Sequence, residues 1–164
     1  MAKTVKSVKA ADWRKPFLSC GGEVFYNKPE GLVICGDGRE ILPKFPKGSI
    51  DLILTSPPPL GDSPLCAELI KNFSHVCTYV PGEPGVRLGG TQSPPSQLGQ
   101  SSVEIINCLT EPDQLVCDPF SQRGSTVVIA KELYRRFIAI EINPKFCASI
   151  VSRLKASKRI YEAL

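Results

Sequence analysis

The chain has 164 residues, of which 42% are hydrophobic and 22% charged, and its formal net charge at pH 7 is +4. Such a chain can bury a core without disulfide bonds, so one main domain is expected. The weak positive charge is compatible with a polyanionic partner but does not identify one. No apolar run reaches transmembrane length and the N-terminus lacks the apolar part of an export signal, so we expect a cytoplasmic protein with no membrane partner.

The cysteines argue against a metal centre. There are seven of them, no two form a C-x-x-C pair, and the chain has a single histidine, His75. A zinc site is therefore not favoured, and we predict no metal. Several of the cysteines lie within apolar runs, where a free cysteine behaves as a small buried hydrophobe, so we expect reduced thiols.

The predicted elements alternate along the chain. Residues 1–30 are interpreted as a segment that packs onto the domain formed by residues 31–164. Short apolar runs bounded by Gly, Pro, Asp or Asn predict buried strands at 31–37, 49–55, 114–118 and 136–142. Cap residues and apolar spacing predict helices from 63 to about 75, at 101–109, at 126–134 and from Asn143-Pro144 onward. A loop-rich insert occupies about 80–100, with a brief strand at 86–88.

Two details of packing follow from the same patterns. Four aromatic residues are expected to fix the N-terminal segment to the domain: Trp13, Phe17, Phe25 and Tyr26. Five residues are expected on one buried face of the last helix: Phe146, Cys147, Ile150, Val151 and Leu154.

Alternating buried strands and helices predict an α/β fold with an open, mostly parallel, twisted sheet and flanking helices. Ligands of such sheets bind at the carboxyl ends of the strands. The unusual residues of this chain fall at those ends: Asp37, Ser56-Pro57-Pro58, Asp118 and Glu141. This placement predicts a binding site at one edge of the sheet.

The segment from Asp118 to Thr126 has the pattern of a strand, a tight loop and the start of a helix, which can present N–H groups to a ligand. Glu141 ends the next predicted strand, where an acid commonly accepts hydrogen bonds from ribose hydroxyls. The loop has one glycine, Gly124, and no P-loop lysine, which favours a nucleoside without phosphates over a dinucleotide. A purely structural unit, as found in many α/β proteins, is the alternative.

The Ser56-Pro57-Pro58 sequence has two interpretations. It can be a rigid turn in a chain with 15 prolines. It can also fix a side chain and a carbonyl as acceptors for a substrate amine, since proline holds the backbone and has no N–H.

Together these motifs resemble a known family. The runs Leu32–Asp37, Asp51–Pro58, Asp118–Thr126 and Phe137–Pro144, in this order, look like the β group of the DNA amino-methyltransferases. The resemblance covers roughly residues 31–158. It implies a Rossmann-like methyltransferase fold in shortened form, and an enzyme of DNA methylation such as occurs in restriction–modification systems.

The resemblance also implies a role for each motif. The cofactor would be S-adenosyl-L-methionine, with its methionine part held by the 118–126 loop through Asp118, Phe120, Gly124, Ser125 and Thr126. Glu141 would bind the ribose and Asp37 would face the adenine amino group. Residues of the helix from 101 would lie near the amino-acid end of the cofactor.

On the substrate side, Ser56 and the carbonyl of Pro57, in a motif completed by Pro58, would hold the amino group of a flipped DNA base. Serine in this motif leans toward cytosine N4, with adenine N6 left open.

Three departures from the family pattern support an alternative. Pro59 stands where an aromatic residue usually stacks on the base, and Gln122 stands where the cofactor loop usually has glycine. The stretch between Ser56 and Asp118 is short for a target-recognition region. A second chain could supply recognition, or the chain could be a non-catalytic, decayed module that binds the cofactor or a partner chain.

Overall fold

The computed structural model of the protein describes residues 12–55, 76–79, 86–89 and 101–158. Within these residues the strands form one sheet of seven. Their bounds are β1 Glu23–Lys28, β2 Gly31–Cys35, β3 Leu52–Thr55, β4 Val76–Tyr79, β5 Val86–Gly89, β6 Leu115–Asp118 and β7 Arg136–Glu141. The spatial order is β1-β2-β7-β6-β3-β4-β5.

The five central strands of this sheet, from β2 to β4, are parallel. An antiparallel strand lies at each edge, where β1 pairs with β2 and β5 with β4. The predicted open, mostly parallel α/β sheet is therefore confirmed. Because the central strands run the same way, their carboxyl ends meet at one edge of the sheet.

Three of the five helices in the described residues begin at a capping side chain. Their bounds are α1 Lys15–Leu18, α2 Gly38–Ile41, α3 Ser102–Leu109, α4 Ser125–Glu132 and α5 Pro144–Ala156, and a 3₁₀ turn, Leu42–Lys44, follows α2. Ser101 and Glu104 form a reciprocal capping box at the start of α3. Asn143 caps α5, with Pro144 at its first position. The start of α5 was predicted from Asn143 and Pro144, and a helix was predicted at 101–109 without its capping box.

The four strands β2, β7, β6 and β3 are buried on both faces, as the strands of parallel sheets generally are. Side chains alternate along β2, so that Leu32 and Ile34 join one core cluster and Val33 joins the other. The first cluster also contains Phe17 of α1 and residues of α2 and the 3₁₀ turn. The second is completed by α3, α4 and α5.

Several sequence expectations can be compared with this arrangement. The four predicted buried strands and the brief strand near 86–88 are present, whereas β1 and β4 were not predicted. Phe17 and Tyr26 are buried, and Trp13 and Phe25 pack against the core. The predicted helix at 63–75 lies outside the described residues, and the division of the chain at residue 30 stays a prediction.

One expectation for the last helix was wrong. Cys147, Ile150 and Leu154 of α5 are fully buried, but Phe146 is 40% exposed. It lies in the first turn of the helix, next to the edge where β7 ends, and not over the middle of the sheet. The apolar pattern of the sequence does not distinguish these two positions.

The chain leaves the sheet in opposite directions from two adjacent strands. From β6 it continues to β7 on one side, and from β3 it continues to β4 on the other. Such a point, where the strand order reverses, opens a crevice at the carboxyl ends of the two strands. Thr55 ends β3 and Asp118 ends β6, so both lie at this crevice.

Candidate functional site

Asp118 is a buried carboxylate at the crevice. Its Oδ1 accepts a hydrogen bond from Thr55 Oγ1 at 2.7 Å and from the Phe120 N–H at 3.2 Å, and the Thr126 side chain also bonds to it. Burial raises the pKa of Asp118 to about 6, although these hydrogen bonds oppose the rise. These hydrogen-bond donors stabilise the ionised form of the Asp118 carboxyl group, and they also fix the start of the loop.

Glu141, at the end of β7, is 6% exposed. Its Oε2 accepts the Gln122 N–H at 2.8 Å, and its Oε1 accepts the Asn143 N–H at 2.8 Å. These two bonds fix the carboxylate between the loop after β6 and the start of α5. Each oxygen has a further lone pair, so the group can still accept hydrogen bonds from hydroxyls.

The loop between Asp118 and α4 is tightly constrained. Gly124 has φ 73° and lies so close to α5 that a Cβ would come within 2.8 Å of Ile150. Gln122 also has positive φ, 46°, although it is not glycine. The residues that follow differ in exposure, since Ser125 is exposed and Thr126 is buried.

Positive φ is a conformation that favours glycine. The departure identified at Gln122 therefore falls on a position where the backbone itself suits glycine.

Asp37 lies beside this loop. It caps α2 by accepting the Arg39 N–H, and its carboxylate pairs with the Arg39 guanidinium. The hydrogen bond from Arg39 holds the pKa of Asp37 below its usual value. A Cβ at the next residue, Gly38, would overlap the carbonyl oxygen of Pro119. The start of α2 and the start of the 118–126 loop are thus in direct backbone contact.

Two exposed apolar side chains adjoin Glu141. Ile142 is 64% exposed and Phe146 is 40% exposed. Ile142 directly follows Glu141, in the turn after β7. Phe146 follows Glu141 by five positions and lies in the first turn of α5. Sequence analysis missed Ile142 and placed Phe146 in the core. A carboxylate next to exposed apolar surface is suited to a ligand with both hydroxyls and an apolar ring.

The structure thus brings most of the predicted cofactor residues together. Contacts connect the ends of β2, β6 and β7 and gather this set: Asp37, Asp118, Phe120, Gly124, Ser125, Thr126 and Glu141. Ser56, Pro57, Pro58 and Pro59 lie outside the described residues, so their predicted roles stay predictions. Thr55, which precedes Ser56, was not predicted, and its signal was a polar residue ending the apolar run of β3.

Among the residues that the structure describes, no group of three or more His, Cys, Asp or Glu side chains could hold a metal ion. In the same part of the chain, no helix is long and apolar enough to cross a membrane.

The fold is similar to that of solved DNA methyltransferases. PvuII DNA methyltransferase, named as cytosine-N4-specific, aligns with a TM-score of 0.60 and 17% identity, over 81% of this chain and 89% of that one. The complex of M1.HpyAVI with its cofactor aligns with a TM-score of 0.55 and 18% identity, over 76% of this chain and 99% of that one. At these identities the likeness establishes a methyltransferase fold.

Sequence comparisons find similarity to DNA methylases over part of the chain. Residues 97–152 match the family described as DNA methylase. YubD of Escherichia coli (strain K12), a protein named as a methylase, is 30% identical over 101 residues, which are 53% of this chain and 44% of YubD. The type II methyltransferase M.HindIII of Haemophilus influenzae is 41% identical over 54 residues, 33% of this chain and 18% of that protein.

The resemblance predicted from the motifs is therefore confirmed as a resemblance: residues 97–152 are similar to the DNA methylase family, and the two relatives match part of the chain. It spans less than half of the length of the curated relatives that it matches.

Proposed function

We propose that this chain transfers a methyl group from S-adenosyl-L-methionine to an exocyclic amino group of a DNA base, with cytosine N4 favoured over adenine N6. The observation that carries the proposal is the arrangement of Asp118 and Glu141. Both are buried acids at the carboxyl edge of a methyltransferase-type sheet, each held by main-chain N–H groups. Asp118 lies at the crevice, next to the strand that leads into Ser56-Pro57-Pro58.

The residues present fit this cofactor. Glu141 retains acceptor capacity for the ribose hydroxyls, and the exposed side chains of Ile142 and Phe146 offer apolar contact for an adenine ring. Phe120 and the loop through Gly124, Ser125 and Thr126 are proposed to hold the methionine part. When bound, the cofactor supplies an electrophilic methyl group on a sulfonium.

On the substrate side, the chain's own residues orient the amine. The Ser56 side chain and the Pro57 carbonyl are proposed to accept hydrogen bonds from the amino group, so that its nitrogen lone pair points toward the methyl group. Pro58 keeps this segment rigid, because its ring restricts the backbone. Positioning then accounts for most of the rate acceleration, with no covalent enzyme intermediate.

The proposed contact of Asp37 with the cofactor requires a change of hydrogen-bond partner. The proposal that it faces the adenine amino group requires a carboxylate oxygen that is free to accept, whereas Arg39 bonds to both oxygens. This pair is open to solvent on the Arg39 side, where 56% of the side chain is exposed. Exposed ion pairs contribute little to stability, so the adenine amino group is proposed to replace Arg39 as the partner of Asp37 at small cost.

A second candidate function is supported by Gln122. A non-glycine residue with φ 46° in the cofactor loop departs from the pattern of the family. Together with Pro59, it favours a module that binds the cofactor or a partner chain without catalysing transfer. In either case, target recognition is proposed to involve a second chain.

An assay of methyl transfer to DNA distinguishes between the two proposed functions. The chain is incubated with isotopically labelled S-adenosyl-L-methionine and mixed-sequence DNA, and the nucleosides are analysed by mass spectrometry. We expect labelled N4-methylcytosine from the wild type and none from Ser56→Ala. Labelled N6-methyladenine would change the assigned base to adenine. Cofactor binding measured by calorimetry, without any methylated nucleoside, would support the non-catalytic module.

DNA affinity is expected to be weak and dependent on salt. With a net charge of +4 and no predicted recognition region, phosphate contacts dominate. Fluorescence anisotropy should show affinity falling steeply between 50 and 200 mM salt, at similar values for unrelated duplexes. A tight, salt-tolerant complex with one short duplex would contradict this expectation.

A further inference from the structure

We propose that Thr55 is a positioning residue, whose hydrogen bond to Asp118 fixes the end of β3 and thereby the direction in which the chain enters Ser56-Pro57-Pro58. The inference rests on the proposed function. It adds a residue to which none of the motif assignments gives a role, and it connects the end of β3 to the cofactor loop through one contact.

The geometry of the contact supports this role. Thr55 is 2% exposed and its Oγ1 donates to Asp118 Oδ1 at 2.7 Å. The two residues are 63 positions apart in sequence. They end adjacent parallel strands at the point where the strand order reverses. A buried hydroxyl at this place therefore joins the two sides of the crevice.

The acceptor of this bond is itself fixed. Asp118 Oδ1 also accepts the N–H of Phe120, the second residue of the cofactor loop. The same oxygen therefore holds the end of β3 and the start of the loop. A displacement of either strand end stretches one of these bonds, so the end of β3 and the start of the loop keep one relative position.

The residues after Thr55 make its side chain important for alignment. Pro57, Pro58 and Pro59 have no N–H and cannot extend the ladder of the sheet. Thr55 is the last residue of β3, and it pairs with Thr78 of β4. Its side chain therefore supplies an anchor directly before the substrate motif, where regular strand hydrogen bonds end.

The test compares Thr55→Val with Thr55→Ser. Valine keeps the shape and removes the donor, whereas serine keeps the donor. Thr110→Val is the matched control, because Thr110 is also buried and bonded, to Ile106 and Arg135, but lies away from the crevice. Thermal unfolding gives the stability lost in each variant.

The first measurement is hydrogen exchange in the peptide that contains Ser56, without cofactor. The three prolines contribute no amide, so the peptide reports mainly on the end of β3 and on Ser56. We expect exchange at least about tenfold faster in Thr55→Val, and unchanged in Thr55→Ser and Thr110→Val. Equal exchange in Thr55→Val and the wild type would overturn the proposal.

The second measurement is single-turnover methyl transfer at saturating cofactor and DNA. We expect Thr55→Val to be about 10- to 100-fold slower, with its cofactor Kd within about threefold of the wild type, and Thr55→Ser to be near the wild type. If the wild type is active and Thr55→Val equals it, the proposal is wrong even where exchange differs. If the wild type is inactive, the proposed function fails. The hydrogen-exchange comparison alone then tests whether Thr55 fixes the end of β3.

Discussion

The main-chain N–H of Gln122 donates to Oε2 of Glu141 at 2.8 Å, from a residue with φ 46°. The opposite oxygen, Oε1, accepts the N–H of Asn143 at 2.8 Å. The carboxylate is thus the common acceptor of two loops, and both of its oxygens are required as acceptors. Its capacity to bind a ligand depends on the same two atoms.

This relationship predicts the effect of Glu141→Gln. The amide nitrogen of glutamine would face one of the two N–H groups, donor against donor, and one acceptor for a ribose hydroxyl is lost. We expect cofactor affinity to fall by about 1–3 kcal/mol, roughly 5- to 150-fold, by calorimetry. Glu132→Gln on α4 is the control and should bind as the wild type does. Equal affinity in Glu141→Gln would remove Glu141 from the cofactor site.

Gln122→Gly should improve the cofactor loop. A left-handed residue other than glycine costs roughly 1–2 kcal/mol, which glycine avoids, although its unfolded chain gains about 0.5–1 kcal/mol of entropy. The free energy of unfolding should therefore change by less than about 1 kcal/mol. We expect cofactor affinity to rise, because glycine removes an exposed side chain from the loop that is proposed to hold the cofactor. A weaker cofactor complex would show that this side chain contributes to binding.

Pro59→Tyr tests the substrate side. If the chain is active, Ser56 and Pro57 still orient the amine, and a stacking surface worth about 1–3 kcal/mol is restored. The methylation rate on DNA should rise by up to roughly 100-fold. If the chain is a decayed module, Pro59→Tyr should have no effect until Gln122→Gly is added. Should both variants and the double variant stay inactive while the cofactor binds, the catalytic function is wrong.

The buried carboxyl of Asp118 predicts a dependence of stability on pH. Burial raises its pKa from 3.8 to about 6, so between these values the folded protein holds a proton that the unfolded chain has released. The proton on Asp118 stabilises the folded protein, and this contribution is complete below pH 3.8 and is lost as pH rises to about 6. It amounts to about 3 kcal/mol.

Asp118→Asn keeps an acceptor for Thr55 and Phe120 and cannot ionise. Denaturant unfolding from pH 4 to pH 7 should therefore show the difference between the wild type and Asp118→Asn changing over this interval. If the two curves stay parallel, Asp118 has an ordinary pKa in the folded protein.

Gly38→Ala tests the contact between α2 and the cofactor loop. The new Cβ would overlap the carbonyl oxygen of Pro119, so the two segments must separate. We expect a loss of about 1–3 kcal/mol in the free energy of unfolding and weaker cofactor binding. In the control Gly48→Ala, the Cβ meets nothing within 4 Å but the residue has φ 67°, so strain arises without displacement of the loop. Equal cofactor affinity in the wild type and Gly38→Ala would show that the loop tolerates this displacement.

The sequence predicted the parts of the fold that depend on local apolar runs. β2, β3, β6 and β7 are such runs, buried on both faces, and their polar ends marked the edge of the site. β1 was missed because its Glu, Asn and Lys residues are exposed at the edge of the sheet and interrupt the apolar pattern. The acids that we propose for the cofactor site were selected because acids at strand ends are unusual.

Other features depend on contacts between distant segments, which one sequence does not specify. The bond between Thr55 and Asp118 exists because β3 and β6 are neighbours, and that order was not predicted. Arg135 is buried and bonds to Thr110 and to the carbonyl oxygen of Leu133, joining the ends of α3 and α4. A charged residue before a strand gives no local sign of such a role.

The reversal of strand order at β6 and β3 has a consequence for how such chains can evolve. The proposed cofactor half is built on β2, β7 and β6, and the substrate half on β3 and β4, and they meet side by side in the sheet. A genetic rearrangement that exchanges their order in the gene preserves the site, provided that the same strands remain neighbours. The order of Ser56 before Asp118 in the chain is therefore not a requirement of the proposed chemistry.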